Sequence, residues 1–208
     1  MNSGAGALVQ ELADVIVENK AYLSEIDGKI GDGDHGVNMA KGFSRAAEKL
    51  KGDESFSSAL QVLSNVLMME IGGSMGPLYG MMFESVSTSL DEIDKIDSKA
   101  FAEALRSGMA SIQEIGSASV GDKTLLDALA PAIEELENSV AADESFAIGL
   151  QRMKVAGEKG RDSTIDMVAR IGRSSRLGER SRGVLDAGAT SCSLILSTLA
   201  EGMTKRLV

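Results

Sequence analysis

Aromatic residues make up only 3% of the 208-residue chain, with no tryptophan and two tyrosines. Proline occurs twice. Sheets draw on aromatic and β-branched side chains, so their scarcity counts against a β-rich fold. A single cysteine, Cys192, excludes an intrachain disulfide and is compatible with a reducing compartment. The one histidine, His35, rules out a histidine-rich zinc site and any Ser-His-Asp triad placed elsewhere in the chain. Basic residues number 21 against 31 acidic ones, giving a formal net charge of -10. A polyanion is repelled by such a surface, so no nucleic acid partner is expected. No segment approaches the roughly 20 apolar residues of a membrane span. The N-terminal stretch MNSGAGALVQELADVI lacks the basic and apolar regions of a signal peptide. The expectation is a cytoplasmic protein with no membrane partner.

What the chain does contain is helix-forming material. Hydrophobic residues reach 43%, including 11 methionines, with alanine and leucine frequent. That is enough to bury a core in a single domain over residues 1–208. Apolar residues recur every three or four positions in eight segments. Leu8, Leu12, Val15 and Ile16 mark a first helix over about 5–23, and Met39, Phe43 and Ala47 a second from about 36 to 50. Phe56 to Leu67 and Leu78 to Val86 give the third and fourth, and Phe101 to Ile112 the fifth. The sixth runs through Leu125, Leu129 and Ile133, opened by Gly121-Asp122 with Asp122 as a candidate N-cap. A seventh covers roughly 145 to 170, and an eighth starts near Gly188. The expected fold class is all-α, with eight amphipathic helices around one core. Cys192 and the methionines read as packing within it.

Three connections are rich in glycine: 28–36, 72–80 and 172–188. The first, Ile26-Asp-Gly-Lys-Ile-Gly-Asp-Gly-Asp-His-Gly-Val-Asn-Met39, brings Asp27, Asp32 and Asp34 together directly ahead of a helix. Mg²⁺ prefers oxygen ligands and is commonly shared between carboxylates and phosphates. The N-terminus of the following helix supplies free N–H groups and a positive dipole end for an anion alongside it. The plainer alternative makes Asp34 a helix N-cap in an ordinary turn. A calcium EF-hand does not fit, because the twelfth position from Asp32 is Phe43 and from Asp27 is Asn38. No Walker sequence or protein-kinase signature is present.

In the second connection, Gly72-Gly-Ser-Met-Gly-Pro-Leu-Tyr-Gly80, backbone N–H groups and Ser74 can hold phosphate oxygens, or the turn is simply tight. The third carries Arg173, Arg176, Arg180 and Arg182 in an otherwise acidic chain, and arginine suits bidentate phosphate contacts.

These segments together resemble the nucleotide-binding L-subunit family of dihydroxyacetone kinases. The D-x4-D-x-D spacing followed by HGxNM falls on Asp27, Asp32, Asp34, His35, Gly36, Asn38 and Met39. GG-x-S-G-PLYG is matched from Gly72 to Gly80, GDKTxxDAL from Gly121 to Leu129, and GRASYLGERS…DPG from Gly172 to Gly188. His35, where a related fatty-acid kinase branch carries threonine, favours the ketose-kinase branch. Met75 stands where the family often has serine, Ala187 replaces a proline, and Arg176 and Arg182 replace an aromatic and an apolar residue.

The resemblance implies a closed barrel of eight antiparallel helices with a nucleotide site at one end. It implies Asp27, Asp32 and Asp34 as ligands to Mg²⁺, two ions being expected. It implies ADP or ATP held by His35, Gly36, Val37, Asn38, Ser74, Met75, Gly116, Leu125, Arg173, Asp186, Ala187 and Gly188. The implied activity is phosphoryl transfer to dihydroxyacetone on a separate ketose-binding K subunit, with bound ADP recharged by a phosphoryl-donor protein of the phosphotransferase system. An ATP-dependent kinase of a related ketose and a nucleotide-loaded regulatory partner of a transcription factor are the alternatives. A homodimer is also compatible.

Overall fold

The computed structural model describes residues 2–207; residues 1 and 208, the two ends of the expected unit, lie outside the described residues. Regular structure among the described residues is entirely helical. The helices are α1 (Ala7–Glu18), α2 (Lys20–Ile30), α3 (His35–Lys49), α4 (Phe56–Glu70), α5 (Met75–Leu90), α6 (Ser98–Gly116), α7 (Leu126–Ala141), α8 (Phe146–Ser163) and α9 (Ala187–Lys205). Two 3₁₀ segments, Thr164–Asp166 and Arg173–Ser181, lie between α8 and α9.

Eight of these helices form a ring. α1 packs on α3, α3 on α4, and each later helix on the next as far as α9, which returns to α1. The ninth, α2, is set against α3 and α9. Side chains from around the ring meet in one core, with Phe43, Phe56, Phe83, Phe101, Leu129 and Leu199 each at most 3% exposed. Cys192 lies in the same core, and burial pushes its thiol up to about 12, so it is packing material, as its apolar helix implied.

The ring has the eight helices expected, but the expected helix bounds differ from the structure in several places. The first predicted helix is two helices, because Asn19 interrupts it with φ −90° and ψ 7°. Its side-chain amide donates to the Val15 carbonyl at 2.8 Å and so competes with the helical ladder. The second half, α2, then continues to Ile30, seven residues past the expected end at 23. Asp27 is therefore on a helix, and the glycine-rich loop shrinks to residues 31–34. The seventh predicted helix also stops early, at Ser163. Asp122 is not the N-cap of α7: Leu125 occupies that position, and the Asp122 carboxylate accepts from Ser119 N at 2.8 Å.

Four other starts are capped by the residue types that favour it. Ser55, Asp97, Ser145 and Asp186 each accept a backbone N–H three residues on, at 3.1, 2.8, 3.4 and 2.7 Å. Neighbours in a ring joined by short connections must reverse direction. The starts of α3, α5, α7 and α9 consequently share one end of the bundle with the ends of α2, α4, α6 and α8. All three glycine-rich connections fall at that end.

A close contact between α7 and α8 lies at the same end. α8 meets α7 along Gly149, Gly157 and Gly160, and a Cβ at Gly160 would lie 2.2 Å from the Asp127 carbonyl oxygen. At Gly157 the nearest obstacle is the movable Leu196 side chain, 3.1 Å away. Gly160→Ala is expected to lower the unfolding free energy by about 1–3 kcal/mol through overpacking. Gly157→Ala is expected to cost less, both being read by urea denaturation.

Candidate metal and nucleotide site

The acidic cluster is built from three different backbone settings. Asp27 is in the last turn of α2, Asp32 is in the loop, and Asp34 sits at the N-cap of α3. Two glycines make this possible. Gly33 takes φ +77°, a left-handed conformation that suits glycine. A Cβ on Gly31 would lie 2.3 Å from Asp27 Oδ1, so the Asp27 side chain folds back through space that only glycine leaves open. The result is one oxygen from each of Asp27, Asp32 and Asp34 within 4.8 Å of the others.

Asp34 holds the N-cap position without performing its usual task, since its side chain makes no capping hydrogen bond. Asp27 Oδ2 instead accepts His35 N, at 3.3 Å. The Asp34 carboxylate is exposed and available as a ligand. Opposite ligands on Mg²⁺ at about 2.1 Å are about 4.2 Å apart. An all-oxygen set spread over 4.8 Å therefore fits one hard cation with slight closure, or a bridged pair with open positions for phosphate.

His35 begins α3 and reaches across the bundle end. Its Nε2 lies 3.0 Å from Ser191 Oγ on α9, and Ser191 Oγ lies 2.7 Å from the Tyr79 hydroxyl on α5. Tyr79 also donates to the Gly188 carbonyl at 3.1 Å. Burial holds the imidazole below its usual range, against the upward pull of Asp27. Burial also raises the Tyr79 phenol well above its ordinary value, keeping it neutral. This polar chain joins the starts of α3, α5 and α9. Neither Tyr79 nor Ser191 was expected from the sequence as part of the site; a tyrosine in so aromatic-poor a chain was the available signal.

The remaining expected residues divide by burial. Gly36 is packed so closely on α2 that a Cβ would fall 2.1 Å from the Lys20 carbonyl oxygen, whereas Val37 is exposed and Asn38 half-buried. Ser74 is exposed at the start of α5 and its side chain makes no cap bond. Met75 is buried, so only its backbone faces the loop end. Gly116 ends α6 beside Leu78, and Leu125 is buried against Gly188. Arg173 is largely exposed and forms an ion pair with Asp32, which brings the third glycine-rich connection onto the first. Asp186, Ala187 and Gly188 form the start of α9.

Three charged groups stand behind this surface. Asp127 accepts Gly121 N at 2.5 Å and Thr124 N at 2.8 Å, which fixes the turn before α7. Lys123, inside that turn, is buried. Asp186 is pushed up to about 7, first by burial of its carboxyl and also by Asp127, while Ala189 N–H and Lys123 draw it down.

Comparison with known proteins places these residues in a family. A family model described as the DAK2 domain matches residues 29–201. The chain belongs to the DAK2 domain family. The match includes Asp32, Asp34 and all of the expected nucleotide-side residues, and begins two positions after Asp27. Among curated relatives, the chain is 37% identical over 190 residues to the Lactococcus lactis "PTS-dependent dihydroxyacetone kinase, ADP-binding subunit DhaL", covering 89% of this chain and 90% of that one. It is 35% identical to the Escherichia coli "PEP-dependent dihydroxyacetone kinase, ADP-binding subunit DhaL", covering 90% of each. It is 34% identical to a Mycolicibacterium smegmatis "D-erythrulose kinase", covering 93% of this chain but 34% of that protein. The solved dihydroxyacetone kinase of C. freundii superposes with a TM-score of 0.73 over 95% of this chain and 34% of that one, at 24% identity. The likeness to that structure establishes the all-helical fold.

The DAK2 chain's Asp186 gives a pH prediction. Its folded pKa of about 7 lies above the ordinary value of 3.8, so the stability it contributes is present below the unfolded value and is lost as pH rises through the folded one. Between pH 4.5 and pH 8 the wild type is expected to lose about 3 kcal/mol relative to Asp186→Asn. Paired urea titrations of the two proteins measure that difference.

Proposed function

We propose that this chain is the ADP- and Mg²⁺-binding subunit of a phosphoenolpyruvate-dependent dihydroxyacetone kinase. It acts with a separate ketose-binding K subunit and a phosphotransferase-system donor protein. The observation that carries the reading is the set of three carboxylate oxygens within 4.8 Å at the bundle end where four helices begin. The relatives matched over about nine-tenths of their own length are named as ADP-binding subunits, which favours ADP as a resident group.

Asp27, Asp32 and Asp34 would hold Mg²⁺, and two ions are the expected number. When bound, Mg²⁺ supplies neutralisation of charge on the transferred phosphoryl group. The chain's own residues do the positioning. At the start of α3 the N–H groups of Gly36 and Val37 have no intrahelical partner and carry the positive end of the dipole. His35 and Asn38 border them, and Ser74 with the Met75 N–H offers donors from the start of α5. Gly116 and Leu125 give an apolar wall for the base. Arg173 exchanges Asp32 for phosphate oxygens, and the Asp186-Ala187-Gly188 turn closes the far side. No group of the chain acts as general base. Such fixed donors lower the barrier because they need no reorganisation as charge develops.

A second reading, an ATP-dependent kinase of a related ketose, is favoured by the 34% identity to a D-erythrulose kinase and the 31% identity to an L-erythrulose kinase. The two readings differ in how nucleotide exchanges. Slowly released ADP that EDTA frees supports the first, and rapidly exchanging ATP supports the second. Absence of any binding of ADP or ATP with Mg²⁺ overturns both. Asp32→Ala is expected to weaken MgADP binding more than tenfold in calorimetry, with the melting temperature little changed because Asp32 is exposed.

A further inference from the structure

We propose that Lys123 is a positioning residue for phosphate recognition: by gathering both ends of segment 167–184 under one ammonium group, it sets where Arg173 stands relative to the aspartate cluster. The proposal rests on the reading of Arg173 as a phosphate contact.

Lys123 is the one buried lysine among the described residues, at 1% exposure. Its backbone lies at φ +64°, a region that lysine rarely adopts. Asp127 holds it there by accepting N–H groups from Gly121 and Thr124 on either side. The side chain then runs inward. Its Nζ donates to the carbonyls of Val184 at 2.6 Å, Ser181 at 2.7 Å and Met167 at 3.3 Å. An ammonium has three protons, and each is directed at a backbone carbonyl.

Those carbonyls belong to one excursion of the chain. Met167 is where it leaves the bundle, and Ser181 and Val184 are where it returns. Two further bonds cross the same neck: Gly183 N donates to Ile165 O at 2.7 Å, and Ala169 N donates to Ser181 Oγ at 2.9 Å. Beyond the neck the segment turns at Gly172 (φ +75°) and Gly178 (φ +55°) and carries the exposed Arg173 to Asp32. A buried cation directed wholly at loop carbonyls organises geometry, since it neutralises no carboxylate by direct contact. The root of the segment is fixed by Lys123, and the reach of Arg173 follows from the root.

If Lys123 served stability alone, its removal would weaken nucleotide binding equally with or without Arg173. The test is a cycle of wild type, Lys123→Met, Arg173→Ala and the double variant. Each is titrated with ADP at fixed Mg²⁺, with helicity and melting recorded. Lys123→Met is expected to weaken MgADP binding at least tenfold in the wild-type background and less than threefold in the Arg173→Ala background. Equal weakening in both backgrounds overturns the proposal, as does unchanged affinity in Lys123→Met. Should Lys123→Met fail to fold, Ser181→Ala loosens the same neck without removing the buried charge, and it is held to the same non-additivity. Wild-type protein that binds no MgADP would overturn the functional reading itself, and this proposal with it. Binding by wild type with an additive cycle overturns only the role of Lys123.

Discussion

The site depends on the parity of the ring. Eight helices that alternate in direction must present four N-termini at one end, here those of α3, α5, α7 and α9. Each start leaves orphan N–H groups and about half a positive charge. In a chain of net charge -10, these backbone dipole ends add to the arginines of the 172–188 connection as positive charge at this end. The starts of α3 and α5 leave their cap side chains without a hydrogen bond, although Asp34 and Ser74 are both good capping residues. Donors that capping would satisfy internally stay open to an anion. The acidic cluster beside them keeps that potential from being indiscriminate, because an anion arriving without a divalent cation meets three carboxylates.

Packing and site geometry are not separable at this end. Gly36 is at the first turn of α3, where backbone donors are exposed, yet a Cβ there would meet the Lys20 carbonyl oxygen at 2.1 Å and Ser24 N at 2.7 Å. The same residue that opens α3 also lets α2 lie close against it. That contact carries Asp27, at the other end of α2, into reach of Asp32 and Asp34. Gly31 repeats the logic over one turn, leaving room for the Asp27 carboxylate to fold back. The glycines of the motif therefore serve the geometry of the carboxylate cluster through helix packing as well as through turn conformation.

The period of the apolar residues made the ring helices legible, and the glycine spacing with three aspartates made the cluster legible. Three features were hidden for physical reasons. The break at Asn19 depends on a side-chain bond to Val15 that competes with the helix, and an asparagine within an apolar period gives no such warning. Asp122 looked like the cap of α7, but Asp127 fixes the turn from inside the helix, through carboxylate bonds to residues before it. Lys123, between them, reads as a surface charge in any local window. Its burial comes from carbonyls more than forty positions away, which no periodicity encodes.

The polar chain from His35 through Ser191 to Tyr79 ties three separate helix starts, those of α3, α5 and α9, into one arrangement. Burial disfavours the charged forms of both the imidazole and the phenol, so the chain links groups whose neutral forms are favoured. Ser191 and Tyr79 sit behind the surface, and each touches a group that faces it: His35 on α3 and the Gly188 carbonyl on α9. A displacement of any one helix start breaks a bond in a buried setting, where an unmet polar group is costly. The starts of α3, α5 and α9 are thereby held in register, while Arg173, largely exposed, reaches Asp32 from a 3₁₀ segment that packs on α2.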